Sequence, residues 1–316
     1  MFAARGIAVS FSVFVMVYCV LSLAVCLCWR TVWLYSQRHP VRRIADLLFA
    51  LRMFPLVTAA LITAVFTIPS FLLLEPRAIK EPLGGIPLAL GISGAFLGIF
   101  GAVNASLAVR KASRAISIWT HEAQPFESCA PVPVLRISQA VPSMTAAGII
   151  RPKVLVSSVA ELLLTTNELQ AALNHEFAHV RRRDNLKKLL LRFVAFPGMA
   201  GLESAWLEAT EMTADDAAVS NTGDALDLAA ALIKLLRVTP VAPPVDLTAA
   251  LVHSPASVMN ARVERLIAWS DDRLVPLTKF SPWCGLWAAV ATVVLFAVTY
   301  RQLLAQVHTA TEWLVR

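Results

Sequence analysis

The chain has 316 residues, of which 57% are hydrophobic and only 16% are charged, and its formal net charge is +7. An ordinary soluble domain is closer to about half apolar, so this composition excludes a simple soluble protein and favours membrane spans. Direct nucleic-acid binding is not expected, because no basic stripe interleaved with aromatic residues occurs outside the apolar segments.

Four apolar segments are each long enough to cross a bilayer as a helix, since a span needs about 20 residues. The first covers residues 6–29 and is expected to stay uncleaved, because its apolar run is longer than that of a signal peptide. The others cover residues 53–74, 82–109 and 280–300. The sequence therefore predicts three spans, a soluble domain and then a fourth span.

Basic residues set the expected orientation, because segments rich in Lys and Arg stay on the cytoplasmic side of a membrane. Such residues cluster after the first span and again after the third: Arg30, Arg38, Arg42, Arg43, Arg52, Arg110, Lys111 and Arg114. With three spans inside residues 1–110, the domain formed by residues 111–279 is expected in the cytoplasm, at the inner membrane. The N-terminus and a short tail, residues 301–316, are expected outside.

The predicted fold class is an α-helical membrane protein with a cytoplasmic α+β domain, mostly helical with a small sheet. Short runs rich in Val, Leu and Ile predict strands at 132–137 and 153–156. Thr165 and Glu168 have the spacing of a capping box, so a helix is expected to begin near Asn167. Apolar residues at three- and four-residue intervals continue that helix, and further helices are expected at 202–220, 225–238 and 257–269.

The segment His175-Glu176-Phe177-Ala178-His179 carries the clearest chemical signal. Two histidines four residues apart lie one above the other on a helix face, and two neutral imidazoles can share one Zn²⁺. A catalytic zinc keeps a position for water and lowers the pKa of that water to about 7, so Glu176 can act as the base. The motif alone leaves open that these are ordinary helix-surface side chains.

A catalytic zinc normally takes three protein ligands, and the segment Glu211 to Asp215 supplies the missing carboxylate. The two acids are four residues apart on a predicted helix and therefore point the same way. Glu211 is expected to bind the metal, and Asp215 to accept a hydrogen bond from a ligating imidazole. Glu208 and Asp216 are the competing candidates.

These residues together resemble the BlaR/MecR-type membrane zinc peptidases, a signalling metallopeptidase family. The similarity covers most of residues 130–220, and the matching segments are His175–His179 with Arg182-Arg183-Asp184, Glu211 with Ala214-Asp215, and Gly148 through Val156. The resemblance implies three spans before the catalytic domain and one after it. It also implies one Zn²⁺ held by His175, His179 and Glu211, with Glu176 as the base and Asp215 behind a ligand. Asp184 matches as well, with no role that the sequence defines.

The chain departs from that family because only a short segment follows residue 300, where antibiotic-sensing members have a large extracellular penicillin-binding domain. A separate sensor protein is therefore expected as a partner. The chain also resembles HtpX and CAAX proteases in the Glu-x-x-Ala-Asp pattern. His253 and Arg262 are weaker candidates, because they resemble the later His and Arg of those families.

One difficulty concerns the register of the two helices that carry the ligands. A straight antiparallel pair turning at Gly198 would place Glu211 on the order of 10 Å from the height of the histidines. The first helix is therefore expected to end early or to bend.

Three functions are compatible with these observations. The first is a zinc endopeptidase in signal transduction that hydrolyses a cytoplasmic or membrane-proximal protein, such as a transcriptional repressor or its own loop. In that case a substrate strand is expected to pair beside the small sheet near Thr145 to Val154. The second is a housekeeping HtpX/CAAX-like protease in quality control or processing. The third is a non-catalytic zinc-containing receptor or scaffold, against which Glu176 argues, since a structural site would not require it.

Overall fold

The computed structural model describes residues 2–36, 40–75, 84–126, 132–138, 143–194, 196–238, 249–250, 256–269, 299–300 and 302–311. The chain divides into two compact units. The first comprises residues 1–28, 53–100 and 275–316, and the second comprises residues 29–52 and 101–274.

Three helices are long and apolar enough to cross a membrane. They are α1 (Phe2–Ser36), α2 (Val41–Ile62), which continues through the π-helical turn Thr63–Thr67 into α3 (Ile68–Leu74), and α4 (Gly85–Trp119). The predicted spans at 6–29 and 53–74 lie within these helices, as do residues 85–109 of the third predicted span, and all three helices are confirmed as candidate spans. The predicted span at 280–300 lies outside the described residues, apart from its last two positions.

The first unit satisfies polar groups on its helices with partners inside the protein. Ser12 donates a hydrogen bond to the carbonyl oxygens of Ala8 and Pro87, both at 2.7 Å, and so joins α1 to α4. The π-helical turn exposes the carbonyl of Val65, which accepts a hydrogen bond from the Tyr300 hydroxyl at 2.9 Å. Such bonds are needed because hydrocarbon offers no replacement for water.

The basic segment expected as a loop between the first two spans is largely helical. Arg42, Arg43 and Arg52 lie in α2, which begins twelve residues before the predicted span. Arg52 is buried, forms an ion pair with Glu203 at 2.9 Å and donates a hydrogen bond to the carbonyl of Val194. The loop expectation was therefore wrong for these three residues. For Arg52, buried partners in the second unit replace the solvent that a loop arginine would need.

The second unit contains the predicted α+β domain, with a small sheet and a set of mostly short helices. Its strands are β1 (Gln124–Pro125), β2 (Val134–Ile137), β3 (Met144–Ala147), β4 (Lys153–Ser157) and β5 (Ala249–Ala250). Its helices are α5 (Ser158–Leu163), α6 (Thr166–Arg182), α7 (Asp184–Phe193), α8 (Ala200–Ala218), α9 (Thr222–Val238) and α10 (Ala256–Ile267). The predicted strands and helices are confirmed to within a few residues, and β1, β3, β5 and α5 are additions.

The sheet has the order β1-β2-β4-β3-β5, in which only the β2–β4 pair is parallel. Strand β4 therefore has a neighbour on each side, with Thr145 of β3 opposite Leu155. On its other side, β3 pairs with β5 at Thr145 and Ala146. A substrate strand consequently cannot add directly to β4, which corrects part of the range expected from the sequence.

Helix α6 is the central element of the second unit, since it packs against α8, α9 and the β3–β4 part of the sheet. One face of α6 enters the main hydrophobic core through Leu173 and Phe177. That core also takes Leu232 from α9 and Met259 from α10. The apolar periodicity of α6 thus anchors the helix and leaves its histidine face toward α8.

Candidate metal centre

The local sequence of α6 fixes where the His-Glu-x-x-His segment lies. The Thr165 side chain accepts a hydrogen bond from the backbone N–H of Glu168, and the Glu168 side chain accepts one from the backbone N–H of Thr165. This reciprocal capping box starts the helix at Thr166, as predicted. His175, Glu176 and His179 then fall about two and a half to three and a half turns into the helix, where all three side chains are buried.

Helix α6 ends immediately after the motif, at Arg182. Arg183 has φ 53° and ψ 41°, the left-handed conformation that commonly terminates a helix. Helix α7 starts at Asp184 in a new direction. The expectation that this helix ends early is thereby confirmed, and the early end removes the register difficulty for Glu211.

Helix α8 brings Glu211 to the two histidines. One Glu211 oxygen lies 3.6 Å from the Nε2 atom of His175, and the other lies 3.6 Å from the Nε2 atom of His179. The two Nε2 atoms are 3.1 Å apart. Within the described residues, these three side chains form the group able to hold a metal, with ligand atoms no more than 4.8 Å from one another.

Two further carboxylates fix the orientation of the imidazoles. Asp215 lies 2.9 Å from the Nδ1 atom of His175, and Asp184 lies 2.8 Å from the Nδ1 atom of His179. An ionised carboxylate accepts each Nδ1 proton and leaves the Nε2 atoms as the metal-binding positions. Two Nε2 atoms at 3.1 Å need either a metal cation or a shared proton between them. Burial lowers the pKa of His175, but its hydrogen bonds with Asp215 and Glu211 outweigh burial and raise that pKa to about 9.

The ligand spacing fits a tetrahedral zinc site. Zinc–nitrogen bonds of about 2.0 to 2.1 Å in a tetrahedron place two ligand atoms about 3.3 Å apart. The observed separations of 3.1 Å between the nitrogens and 3.6 Å from each nitrogen to Glu211 lie on either side of that value. The two imidazoles and the carboxylate are also the donor types that zinc takes in catalytic sites.

Arg262 reaches the same cluster from α10. Its guanidinium donates two hydrogen bonds to Asp215, at 2.7 and 2.8 Å, and lies 3.1 Å from a Glu211 oxygen. The arginine side chain is fully buried. It therefore links the carboxylate that orients His175 to the carboxylate that binds the metal.

Residues 139–242, about a third of the chain, match the model of peptidase family M48. That range contains the His-Glu-x-x-His segment, and Glu211 and Asp215 of α8. This part of the chain is a metallopeptidase domain similar to family M48. The chain is thus a zinc metallopeptidase with candidate membrane spans, and His175, His179 and Glu211 form its metal site. Among curated proteins, none matches the chain.

In this metallopeptidase domain, Glu176 lies beside the metal ligands but is not one of them. Its Oε2 atom accepts a hydrogen bond from the backbone N–H of Ala146 at 2.6 Å. Burial raises the pKa of Glu176, while His179 and His175 act in the opposite direction. A buried carboxyl whose pKa is raised is suited to taking and returning a proton near neutral pH.

Asn185 holds the strand that faces Glu176. Its side-chain amide donates hydrogen bonds to the carbonyl oxygens of Ala146, at 3.0 Å, and Gly148, at 3.2 Å. Asn185 is buried at the start of α7. The sequence analysis missed both Asn185 and Ala146; the only available signal for Asn185 was its position directly after the matched Arg-Arg-Asp segment.

Electrostatics in the cluster favour ionised ligating acids. Burial raises the pKa of Glu211, but the charges of His179 and Arg262 outweigh it and lower the pKa to about 2. Burial likewise raises the pKa of Asp215, but Arg262 and His175 hold that pKa well below its usual range. Burial lowers the pKa of Lys188, against Glu211, which makes Lys188 a further cation within electrostatic range of the site.

The structure shows which of the remaining candidate site residues lie at the metal cluster. Asp216 forms an ion pair with Arg265 at 2.7 Å, and Glu208 is not part of the metal-binding group, so neither competes with Glu211. Asp184 and Arg262, weak candidates in the sequence, both lie within the cluster. His253 falls outside the described residues.

Proposed function

We propose that the chain is a membrane zinc endopeptidase that hydrolyses a peptide bond of a cytoplasmic or membrane-proximal protein in signal transduction. The observation that carries the proposal is the position of Glu176. This buried carboxylate is next to the ligand His175 in the chain but is not itself part of the metal-binding group. A transcriptional repressor or a loop of the chain itself is the proposed substrate, in keeping with the BlaR/MecR-type resemblance. A separate sensor protein is a proposed partner.

The proposed chemistry assigns one role to each group. Zinc, when bound, lowers the pKa of a water to about 7 and polarises the scissile carbonyl. Glu176 would accept a proton from the attacking water and deliver it to the leaving amine. Asp215 and Asp184 hold His175 and His179 in the tautomer that leaves each Nε2 atom free for the metal.

The substrate is proposed to bind as a strand along the edge of β3, opposite Glu176. Edge strands accept an extended peptide through backbone hydrogen bonds, which gives affinity without requiring one sequence. Since β5 pairs with Thr145 and Ala146, the incoming strand must compete with Ala249–Ala250 for that edge. Substrate strand addition and β5 pairing are therefore mutually exclusive at these two residues.

The proposed topology places residues 111–279 in the cytoplasm and the N-terminus outside. The support is the distribution of basic residues, which follows the first and third spans. A cysteine introduced at the exposed His121 should react in intact cells with a membrane-permeant reagent only. Labelling by an impermeant reagent, at a level above that of the unsubstituted chain, would reverse the orientation.

The test of the activity compares wild type with Glu176→Gln and a matched control, Glu208→Gln, in purified full-length protein. Glu176→Gln should keep its zinc and lose hydrolysis of a protein or peptide mixture by about 10² to 10⁴-fold. Glu208→Gln should retain both, because that acid is not part of the metal group. Hydrolysis by Glu176→Gln at the wild-type rate would defeat the proposal.

A housekeeping protease in quality control or processing is the second candidate. It is favoured by the contact of Arg262 with the metal cluster, because that arginine carries the resemblance to HtpX and CAAX proteases. Cellular N-termini compared with and without Glu176→Ala separate the two functions. One regulated cleavage site supports signalling, whereas many sites in membrane proteins support quality control. The third possibility, a non-catalytic receptor or scaffold, predicts no cleavage at all and no effect of Glu176.

A further inference from the structure

A cavity of about 410 Å³ lies beside His179. Its walls come from the segment after β3, including Ile149 and Pro152, and from the corner between α6 and α7, including Val180 and Leu186. Its volume is within the range of about 300 to 1,000 Å³ that ligand pockets occupy. His179 is both a metal ligand and part of the wall, so the cavity adjoins the reacting centre.

The position of the cavity follows from the fold of the site. Strand β3 faces Glu176 at Ala146 and leads directly into Gly148, which lines the cavity. Asn185 bonds the carbonyls of both residues and also lines the cavity. A peptide that displaces β5 and lies along β3 past Ala146 would therefore place a side chain that flanks the scissile bond in this cavity.

Arg183 lines the same cavity, and it is the residue with positive φ between α6 and α7. Glycine or asparagine is the usual residue in that conformation, because a side chain there is strained. The Arg183 side chain is exposed and has no ion-pair partner among the described residues. The cavity has both apolar and polar walls, and an unpaired cation at its margin complements an acidic group on a ligand.

We propose that this cavity is the subsite that selects the substrate. It takes a large apolar side chain flanking the scissile bond, while Arg183 pairs with an acidic residue of the substrate next to that side chain. The inference rests on the proposed peptidase function and adds the class of sequence that is cleaved. The apolar walls determine the first preference, and the unpaired guanidinium determines the second.

The test uses purified full-length protein, a mixed peptide library and identification of the cleaved bonds by mass spectrometry. Wild type should cleave next to a large apolar residue at one fixed position, with enrichment of Asp or Glu beside it. Synthetic peptide pairs then compare Glu with Gln at the acidic position and Leu with Ala at the apolar position. The Leu peptide should exceed the Ala peptide by at least about tenfold in kcat/KM.

Arg183→Gln, with Arg181→Gln as the matched control, isolates the charge. Arg181 is also exposed and lies two residues away, but it does not line the cavity. Arg183→Gln should lower the Glu-to-Gln ratio of kcat/KM by about twofold to fivefold, the range of an exposed ion pair, and Arg181→Gln should leave that ratio unchanged. Arg183→Gly should lower the ratio equally without lowering the thermal midpoint, because glycine accepts the positive φ.

Two failures are distinguishable. Identical library cleavage by wild type and Glu176→Gln would refute the peptidase function itself. Cleavage that depends on Glu176 but shows no apolar preference, or a Glu-to-Gln ratio that survives both Arg183 substitutions, would overturn only the subsite.

Discussion

Replacing Arg262 by methionine tests whether the buried guanidinium holds the metal site together. Its side chain and that of Asp215 are 0% and 1% exposed, so the pair is shielded from water. Methionine keeps much of the volume but leaves two buried carboxylates, Asp215 and Glu211, without their cation. Of the described contacts to Asp215, only that from His175 remains.

The expected cost follows from that geometry. Breaking a buried ion pair by removing one partner costs about 3 to 5 kcal/mol, because the other charge stays buried. For a unit of this size that corresponds to a fall of about 6 to 20 °C in the midpoint of thermal unfolding. Losing the group that supports a ligand-orienting carboxylate should also weaken zinc binding by about 10- to 100-fold.

Arg265→Met is the matched control. Arg265 lies on the same helix and pairs with Asp216 at 2.7 Å, but these side chains are 23% and 31% exposed. Its loss should cost about 0 to 1 kcal/mol and leave zinc affinity unchanged. The assays are thermal unfolding and chelator competition for zinc in detergent-solubilised protein. Equal effects of the two substitutions on stability, or unchanged zinc affinity in Arg262→Met, would refute the reasoning.

Three further outcomes are expected. Removing zinc with a chelator should lower the thermal midpoint of wild type and leave that of Glu211→Leu unchanged, because a bound metal stabilises the folded state by mass action; equal shifts would place the metal elsewhere. Asn185→Ala should lower the free energy of unfolding, measured in urea, by about 1 to 3 kcal/mol, because it removes the donor to two backbone carbonyls. Asn174→Ala, at an exposed side-chain pair, is the control and should lower it by about 0.5 kcal/mol or less. Similar losses for the two substitutions would contradict the role of Asn185. Burial raises the pKa of Glu168, but hydrogen bonds from Lys234 and Thr165 outweigh burial and lower that pKa, so the ionised carboxylate stabilises the fold fully above the ordinary value of 4.5 and less as pH falls through the lowered value. Glu168→Gln should therefore be less stable than wild type near about pH 6 and lose less stability on acidification to about pH 3. Unfolding free energies of the two proteins that fall in parallel with pH would exclude the mechanism.

The metal ligands could be predicted from the sequence because helical periodicity depends only on residues a few positions apart. His175 and His179 are one turn apart on a helix whose start is fixed by the Thr165 capping box. Glu211 and Asp215 repeat the same spacing on α8, so one acid was expected at the metal and the other behind an imidazole. The structure places both acids there.

Other parts of the site depended on contacts between residues far apart in the chain. The sequence alone could not place Arg262, because its partner Asp215 lies 47 residues earlier and on another helix. Ala146 and Asn185 meet through a 39-residue separation, and each looks ordinary in its own segment. Packing of α6 against the sheet brings such residues together, and no local sequence pattern predicts that packing.

The sequence by itself determined the three apolar helices, the start of α6 and the identity of the zinc ligands, because hydropathy, capping and helical spacing act within a few turns. Only the tertiary structure decided that α6 ends at Arg182. The left-handed turn at Arg183 redirects the chain, so that Asp184 meets His179 while Glu211 of α8 meets both histidines. The physical reason is that a helix end depends on the free energy of the surrounding packing, whereas a helix start can be satisfied by its own side chains.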